Sequence, residues 1–402
     1  MTEHAPVTLP GRLTSLVELR REIHHWPELR FQEHRTAALV EARLLASGYT
    51  VRSGVGGTGL FAFREPAESG PHVLIRADMD ALPVTDLKDV PYASAVPGVA
   101  HACGHDVHTV VALGVAERFA ETRMPPGRVS FVFQPAEERP FGQPSGANAM
   151  LAEGILDGTP PDAVLGLHCW PDLPVGSVGI DERIAMGAKD AFRITLTGSG
   201  AHAATPSRGR DAILGIAQLV TALHQGFSRM RDAGDLAVLN IGTVRGGTSQ
   251  SIIADRAETT GTVRTVDPLV RARLRTEIDR IATASAAMLA LDCEVTWADE
   301  MPPIINDPRL VRCARVVAED LLGRENTRLL TVPPMTSDDF ALFAELAPAL
   351  YLKLGVCGGG ACSPLHHGAF DIDEGAIGVG VAVLHAITTQ ILTRTLDGWD
   401  PV

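Results

Sequence analysis

The chain of 402 residues is 45% apolar and 21% charged, the profile of a soluble globular protein with enough core for two or three domains. Asp and Glu (48) outnumber Lys and Arg (35), and the net charge of −13 repels phosphate backbones and anionic lipid, so no nucleic acid and no membrane partner is expected. The opening MTEHAPVTLPGR lacks a basic stretch leading into an apolar one, so no secretion signal is expected, and no run of about 18 apolar residues stands out. Without such a signal the six cysteines read as reduced thiols in a cytoplasmic protein. Cys357 and Cys362, in CGGGAC, lie close enough to pair but are expected to stay reduced on that reading.

The first predicted element is a helix with Leu16, Leu19 and Ile23 on one face, halted at Trp26-Pro27. A second helix covers about 36–46 and stops near Gly48. Apolar runs of strand length follow at 72–77 (HVLIRA), 129–134 (VSFVFQ) and 163–167 (AVLGL), with helical stretches near 107–121 and 146–156. Strand and helix alternating at this spacing predict a mostly parallel sheet flanked by helices. From about residue 188 the order changes: a strand (AFRITLTG), a helix carrying Ile213, Ile216, Val220, Leu223 and Phe227, and two strands in succession (AVLNIGTV, AETTGTVRT). Asp267-Pro268 then caps a helix with Val270, Leu274, Ile278 and Ile281 on its face, and CEVTWA (293–298) is a last strand. That β-α-β-β-α-β order is the ferredoxin-like split unit. The expected fold is α/β, with a discontinuous first domain over 1–187 and 299–402 and an inserted ferredoxin-like α+β domain over 188–298. ALYLKL (349–354) would return to the large sheet.

The residues that follow each strand of the first domain carry chemistry. RADMDALP (76–83) places Asp78 and Asp80 after the first run, QPAEE (134–138) places Glu137 and Glu138 after the second, and GLH (166–168) places His168 on the third. Ligands of open parallel sheets bind beyond the carboxyl ends of the strands, so these groups point to one crevice. HACGHDVH (101–108) adds Cys103, His105, Asp106 and His108. Each has a plain structural reading: an Asp caps a helix, a strand-end His is hydrogen-bonded structure, and adjacent glutamates form a solvated face. Together they form a His, Cys, Asp and Glu donor set for cations of borderline softness, and crowded carboxylates need a positive partner.

RADMDALP, HACGHDVH, QPAEE, GLH, GSGAHAA (198–204), GTVRT (261–265), SDDF (337–340) and LHHGAFDIDE (365–374) occur in order, after the opening LRREIHHWPELRFQE (19–33). As an ordered set over about 12–385 they resemble the hippurate hydrolase and indole-acetyl-amino-acid hydrolase family, within the aminoacylase and carboxypeptidase group of metallopeptidases. The resemblance implies a metal-dependent amidohydrolase acting on small N-acyl amino acids. It implies two divalent metal ions per chain, zinc first, with manganese, nickel or cobalt as alternatives, held by Cys103, His105, Glu138, His168 and His366. Glu137 would be the general base, Asp80 would orient a ligand, and His202 would polarise the substrate carbonyl. Members of the family often dimerise through the inserted domain, so a lid and dimerisation role is implied for 188–298, with a homodimer or homotetramer expected.

Several residues carry two readings. Arg264 either grips a substrate carboxylate or is a strand residue in a surface ion pair. Cys169 reads as buried filler, Asp339 with Phe340 as core support, and Gly246-Gly247 as a turn requiring positive φ. Departures from the family fall on the substrate side. GGTSQSIIA (246–254) has Ser251 where an asparagine that touches substrate is expected and Ala254 where a proline is, Ser207 replaces a frequent histidine, and RPFGQPSGA (139–147) is longer than usual. Two other function classes stay open: a cysteine hydrolase with Cys103 activated by His105 and Asp106, and a non-catalytic, metal-stabilised binding protein.

Overall fold

The computed structural model describes residues 10–66, 68–122, 125–360 and 362–393; most of the opening read for a secretion signal lies outside them. Its larger sheet has eight strands in the spatial order 50–55, 59–63, 128–134, 72–78, 163–174, 349–357, 178–181 and 327–330. The four central strands, from 128–134 to 349–357, are mutually parallel, and antiparallel pairs join at 59–63 and 178–181. Strand His72–Asp78 is buried along its whole length, which is why it reads as an unbroken apolar run. The chain steps from 72–78 to 128–134 on one side and then crosses to 163–174 on the other. This reversal opens a crevice at the carboxyl ends of the strands.

Helices Pro10–His25, His105–Glu121, Pro308–Leu322 and Gly375–Thr393 pack on this sheet in one core that includes Leu16, Val111, Phe119, Leu165, Leu352 and Val381. The last helix corrects the sequence reading. Gly375–Thr393 is long and apolar enough by composition to cross a membrane, although Gly, His and Thr break up its apolar run, and 67% of the qualifying stretch is buried inside the fold. Its apolarity is that of a core helix. The hairpin 50–55/59–63 was not predicted, because its first strand (TVRSGV) is mostly exposed and polar, with only Val55 fully buried.

The second sheet is antiparallel, ordered 292–301, 188–197, 256–265 and 237–246, with helices Ala212–Met230 and Pro268–Ala287 packed on one face. Asp211 and Asp267 cap the two helices as N-terminal acceptors, and Pro268 follows the second cap. Phe192, Ile194, Leu196, Leu219, Leu274 and Ile278 fill the core between sheet and helices. A short pairing of 184–186 with 304–305 joins the chain entering this unit to the chain leaving it.

One cysteine expectation is overturned. Cys357 and Cys362 form a disulfide, while Cys103, Cys169 and Cys293 are free thiols. Gly359 and Gly360, at φ 115° and 85°, turn the chain back so that the ends of this short loop meet.

Candidate metal and active site

The chain positions its polar groups through three unusual backbone stretches. Gly104, at φ 87°, precedes helix 105–121, and a Cβ there would stand 2.8 Å from Cys169 Sγ, so only glycine lets Cys103 and His105 approach the 163–174 strand. Ala136 (φ 50°) turns the chain sharply before Glu137 and Glu138. His366 (φ 64°) is likewise left-handed, and its amide donates to the Ala102 carbonyl at 2.7 Å, which ties the last site segment to the Cys103 loop.

The resulting donor set is compact. Cys103 Sγ lies 3.4 Å from His168 Nε2 and 3.3 Å from His366 Nε2, and His366 Nε2 is 2.8 Å from Glu138 Oε1. Asp80 faces His105 Nδ1 at 3.2 Å and accepts from the backbone amides of Glu137 (3.1 Å) and Glu138 (2.9 Å). His105 Nε2 is buried with no hydrogen-bond partner among the described residues. Donor atoms of Cys103, His105 and His168, of Cys103, Glu138 and His366, and of His105, Glu137 and Glu138 each lie within 4.8 Å of one another. Tetrahedral zinc, with bonds of about 2.05 Å to nitrogen and about 2.3 Å to sulfur, separates such donors by roughly 3.6 Å. The spacing, the orphaned His105 nitrogen and the soft-plus-hard donor set therefore fit a divalent metal centre with overlapping ligand groups.

Electrostatics agree with that fit. Burial raises the Glu137 carboxyl well above its ordinary value, helped by the neighbouring Glu138, Asp338 and Asp339 charges. Burial pushes Glu138 up too, but the hydrogen bond and charge of His366, with His105 and His168, hold it below its ordinary value. Burial takes His168 down to about 3, with the His108 charge adding to it, so its imidazole is neutral and able to ligate. Burial raises the Cys103 thiol, and a thiolate there calls for an adjacent cation.

Around this centre lies a buried polar frame. Arg76 donates to Asp78 (2.8 Å) and Asp339 (2.6 Å) and pairs with Asp338, whose carboxylate also accepts the Tyr351 hydroxyl. Asp78 holds His108 Nδ1 at 2.7 Å, and Asp106 accepts from Arg20 and His24, both at 2.7 Å. Glu33 was not singled out from the sequence; buried, it accepts from the Ala136 amide and the Thr58 hydroxyl and so braces the glutamate turn.

The pocket beside these donors has a volume of about 170 Å³, and Cys103, Glu137, Glu138, His168, His366 and Arg264 are among the residues that line it. Arg264 is half-buried with one donor on the Met335 carbonyl at 2.9 Å and no carboxylate partner among the described residues, and burial lowers its pKa. The surface ion pair considered for it is absent there. His202 and Ser251 are exposed, do not line this pocket, and lie on adjoining loop segments: His202 bridges Ile252, and the Ala203 amide donates to the Ser251 carbonyl. Sequence reasoning missed Arg139, Lys189, Asp299 and Trp170, which also line it; only Arg139, directly after the glutamate pair, carried a positional signal.

The family described as peptidase family M20/M25/M40 matches residues 74–390, from the strand that ends at Asp78 into the last helix. The chain belongs to this family. The M20 protein is 36% identical to an N-acetyl-L-cysteine deacetylase of Bacillus subtilis, over 93% of its own length and 88% of that chain. It is 33% identical to thermostable carboxypeptidase 2 of Saccharolobus solfataricus, over 92% and 94%. Its fold matches the crystal structure of a Bacillus subtilis dinuclear metal-binding peptidase from the M20 family with a TM-score of 0.80 and 33% identity, covering 94% of this chain and 98% of the other. Its α/β fold with an added antiparallel sheet is that of the family, and the M20 protein is a hydrolase of the amidohydrolase and metallopeptidase kind.

Proposed function

We propose that this M20 protein is a binuclear metal amidohydrolase that cleaves the amide bond of small N-acyl amino acids, as the narrower likeness to hippurate hydrolases implies. The observation that carries the reading is the donor set around Cys103, with Glu137 beside it and Arg264 in the same pocket. Cys103, His105, Glu138, His168 and His366 would hold two divalent ions, with zinc favoured by the thiolate and manganese, nickel or cobalt as alternatives. The resemblance to a dinuclear M20 peptidase supports the count of two. Bound by these residues, such ions would supply a water of lowered pKa and polarise the carbonyl.

The chain's own groups do the rest. Glu137 takes the proton of the attacking water on a carboxylate oxygen and returns it to the departing amine. Asp80 fixes the backbone of both glutamates and the tilt of His105. Arg264 receives the amino-acid carboxylate. We assign catalytic work to 1–187 and 299–402 and a lid and dimerisation role to 188–298, which would bring His202 to the carbonyl oxygen on closure or from a second copy; Ser251 follows His202. The cytoplasm is the compartment proposed. A cysteine hydrolase is disfavoured because burial raises the Cys103 thiol and the paired carboxylates Glu137 and Glu138 would then have no role.

The test strips the protein with a chelator and assays release of free amino acid from a panel of N-acyl amino acids as zinc, manganese, cobalt or nickel is added back. Turnover that vanishes and returns at about two equivalents per chain supports the reading. Turnover that survives chelation, or metal-loaded protein that cleaves nothing, sinks it. Glu137→Gln should keep its metal and lose about 10²–10⁴ in kcat.

A further inference from the structure

The pocket holds three cations, and only one is needed for an amino-acid carboxylate. Arg139, Lys189 and Arg264 all line it. Arg264 has no carboxylate partner among the described residues. Arg139 and Lys189 share a single acid, Asp299, at 3.6 and 3.8 Å. Neither contact is a close hydrogen bond, and Asp299 also accepts from the Gly142 amide at 3.3 Å. Arg139 spends one nitrogen on the Gln143 carbonyl and the Asn148 side chain. The Lys189 ammonium, which carries three donors, meets no other partner among the described residues. Two cations against one carboxylate leave this corner of the pocket positive, apart from Arg264 and opposite the Glu137–Glu138 and Asp338–Asp339 acids that also line it.

These groups are built into the fold. The Arg139 and Asp299 side chains are 9% and 4% exposed. Asp299 is held at φ 52°, a left-handed conformation that Asp tolerates better than most non-glycine residues. It stands where the chain leaves the second sheet, Lys189 where the chain enters it, and Arg139 directly after Glu138. The remaining wall is partly apolar, with Trp170, Met186, Met301 and Leu365. A volume of about 170 Å³ is small beside ligand pockets of roughly 300–1,000 Å³.

We infer that the site selects a small N-acyl amino acid bearing a second carboxylate, which Lys189 and Arg139 receive while Arg264 holds the first. This rests on the amidohydrolase reading above. The second carboxylate is either the side chain of an acidic amino acid or the far end of a short dicarboxylic acyl group; both present the same anion to Lys189.

The experiment uses the full metal-reloaded chain and two matched pairs: N-acetyl-glutamate against N-acetyl-glutamine, and N-succinyl-alanine against N-butyryl-alanine. At least one acidic substrate should exceed its neutral partner by about 10–100-fold in kcat/KM, the worth of one charge-assisted contact. The pair that shows the preference identifies the source of the carboxylate. Lys189→Met should cut that preference about tenfold or more at unchanged metal content, and Lys189→Arg should retain it. Equal rates within both pairs, or an unchanged preference in Lys189→Met, overturn the inference. If the reloaded chain cleaves none of the four, the wider N-acyl amino acid panel decides the N-acyl amino acid reading, and calorimetric binding of the same four compounds decides the anion site. Tighter binding of an acidic compound than of its neutral partner then sustains the second anion site, and equal binding overturns it.

Discussion

Asp80 organises more of the site than any group expected to touch substrate. Two backbone amides and one imidazole converge on its two oxygens, so the positions of Glu137, Glu138 and His105 are set together. Asp80→Ala is expected to lower metal affinity or kcat by about 10–100-fold, read by metal analysis and steady-state kinetics; wild-type values for both would show that the turn holds without it. His385 belongs to the same scale but far from the chemistry. It packs on Phe119 with ring centroids 4.3 Å apart, its Nε2 is unpartnered, and burial lowers its pKa from 6.5 to about 4, with Arg118 adding to the effect. Between those values the unfolded chain binds more protons than the native one, so this histidine makes stability rise with pH from about 4 to about 6.5. His385→Leu should flatten the Tm-against-pH curve in that window; an unchanged slope would assign the dependence to other groups.

Close approach of elements depends on small residues at particular crossings. Helices 105–121 and 375–393 pack on each other and on helix 10–25. A Cβ on Gly114 would stand 2.7 Å from both Leu16 Cδ1 and Val381 Cγ2. Valine is stiff at χ1 and cannot easily yield, so Gly114→Ala should destabilise by about 1–3 kcal/mol, measured by thermal or denaturant unfolding. A stabilised variant would mean that the helices can separate freely. The glutamate turn follows the same logic: Ala136 adopts its left-handed conformation because Glu33 accepts its amide and Asp80 accepts the next two.

Across the whole molecule, the donor set draws on the loop before helix 105–121, the glutamate turn, the 163–174 strand and the segment after the disulfide. Separate parts of the chain therefore meet at one place, and a bound cation would cross-link them. A ligand that binds only the native state at about a hundredfold over its Kd stabilises it by about 2.7 kcal/mol per site. Chelation should lower Tm, and adding back the restoring metal should recover it, as followed by calorimetry. A Tm indifferent to chelator would argue against tight metal binding by these residues. If turnover requires closure of 188–298, a crosslink between that segment and the rest should abolish it; full activity in the crosslinked protein would count against a moving lid.

Some of this was decided along the chain. The buried strands 72–78, 128–134 and 163–174 announce themselves as apolar runs, and a parallel sheet places whatever follows such strands in one crevice. Hence Asp80, Glu137, Glu138 and His168 were legible as neighbours from sequence, and the ordered motifs added Cys103, His105 and His366. The split unit was legible because its caps and alternations are local. Other features depended on contacts between residues far apart. The 50–55 strand depends on pairing with 59–63, the Cys357–Cys362 bond depends on a glycine turn, and Gly375–Thr393 is a core helix only because other helices cover it. Glu33 reaches Ala136 across 103 positions, and Arg139 meets Asp299 and Lys189 through the exit and entry of the second sheet. Short-range patterning settles which face of an element is buried, whereas which side chains meet in the pocket is settled by packing between elements that no local spacing encodes.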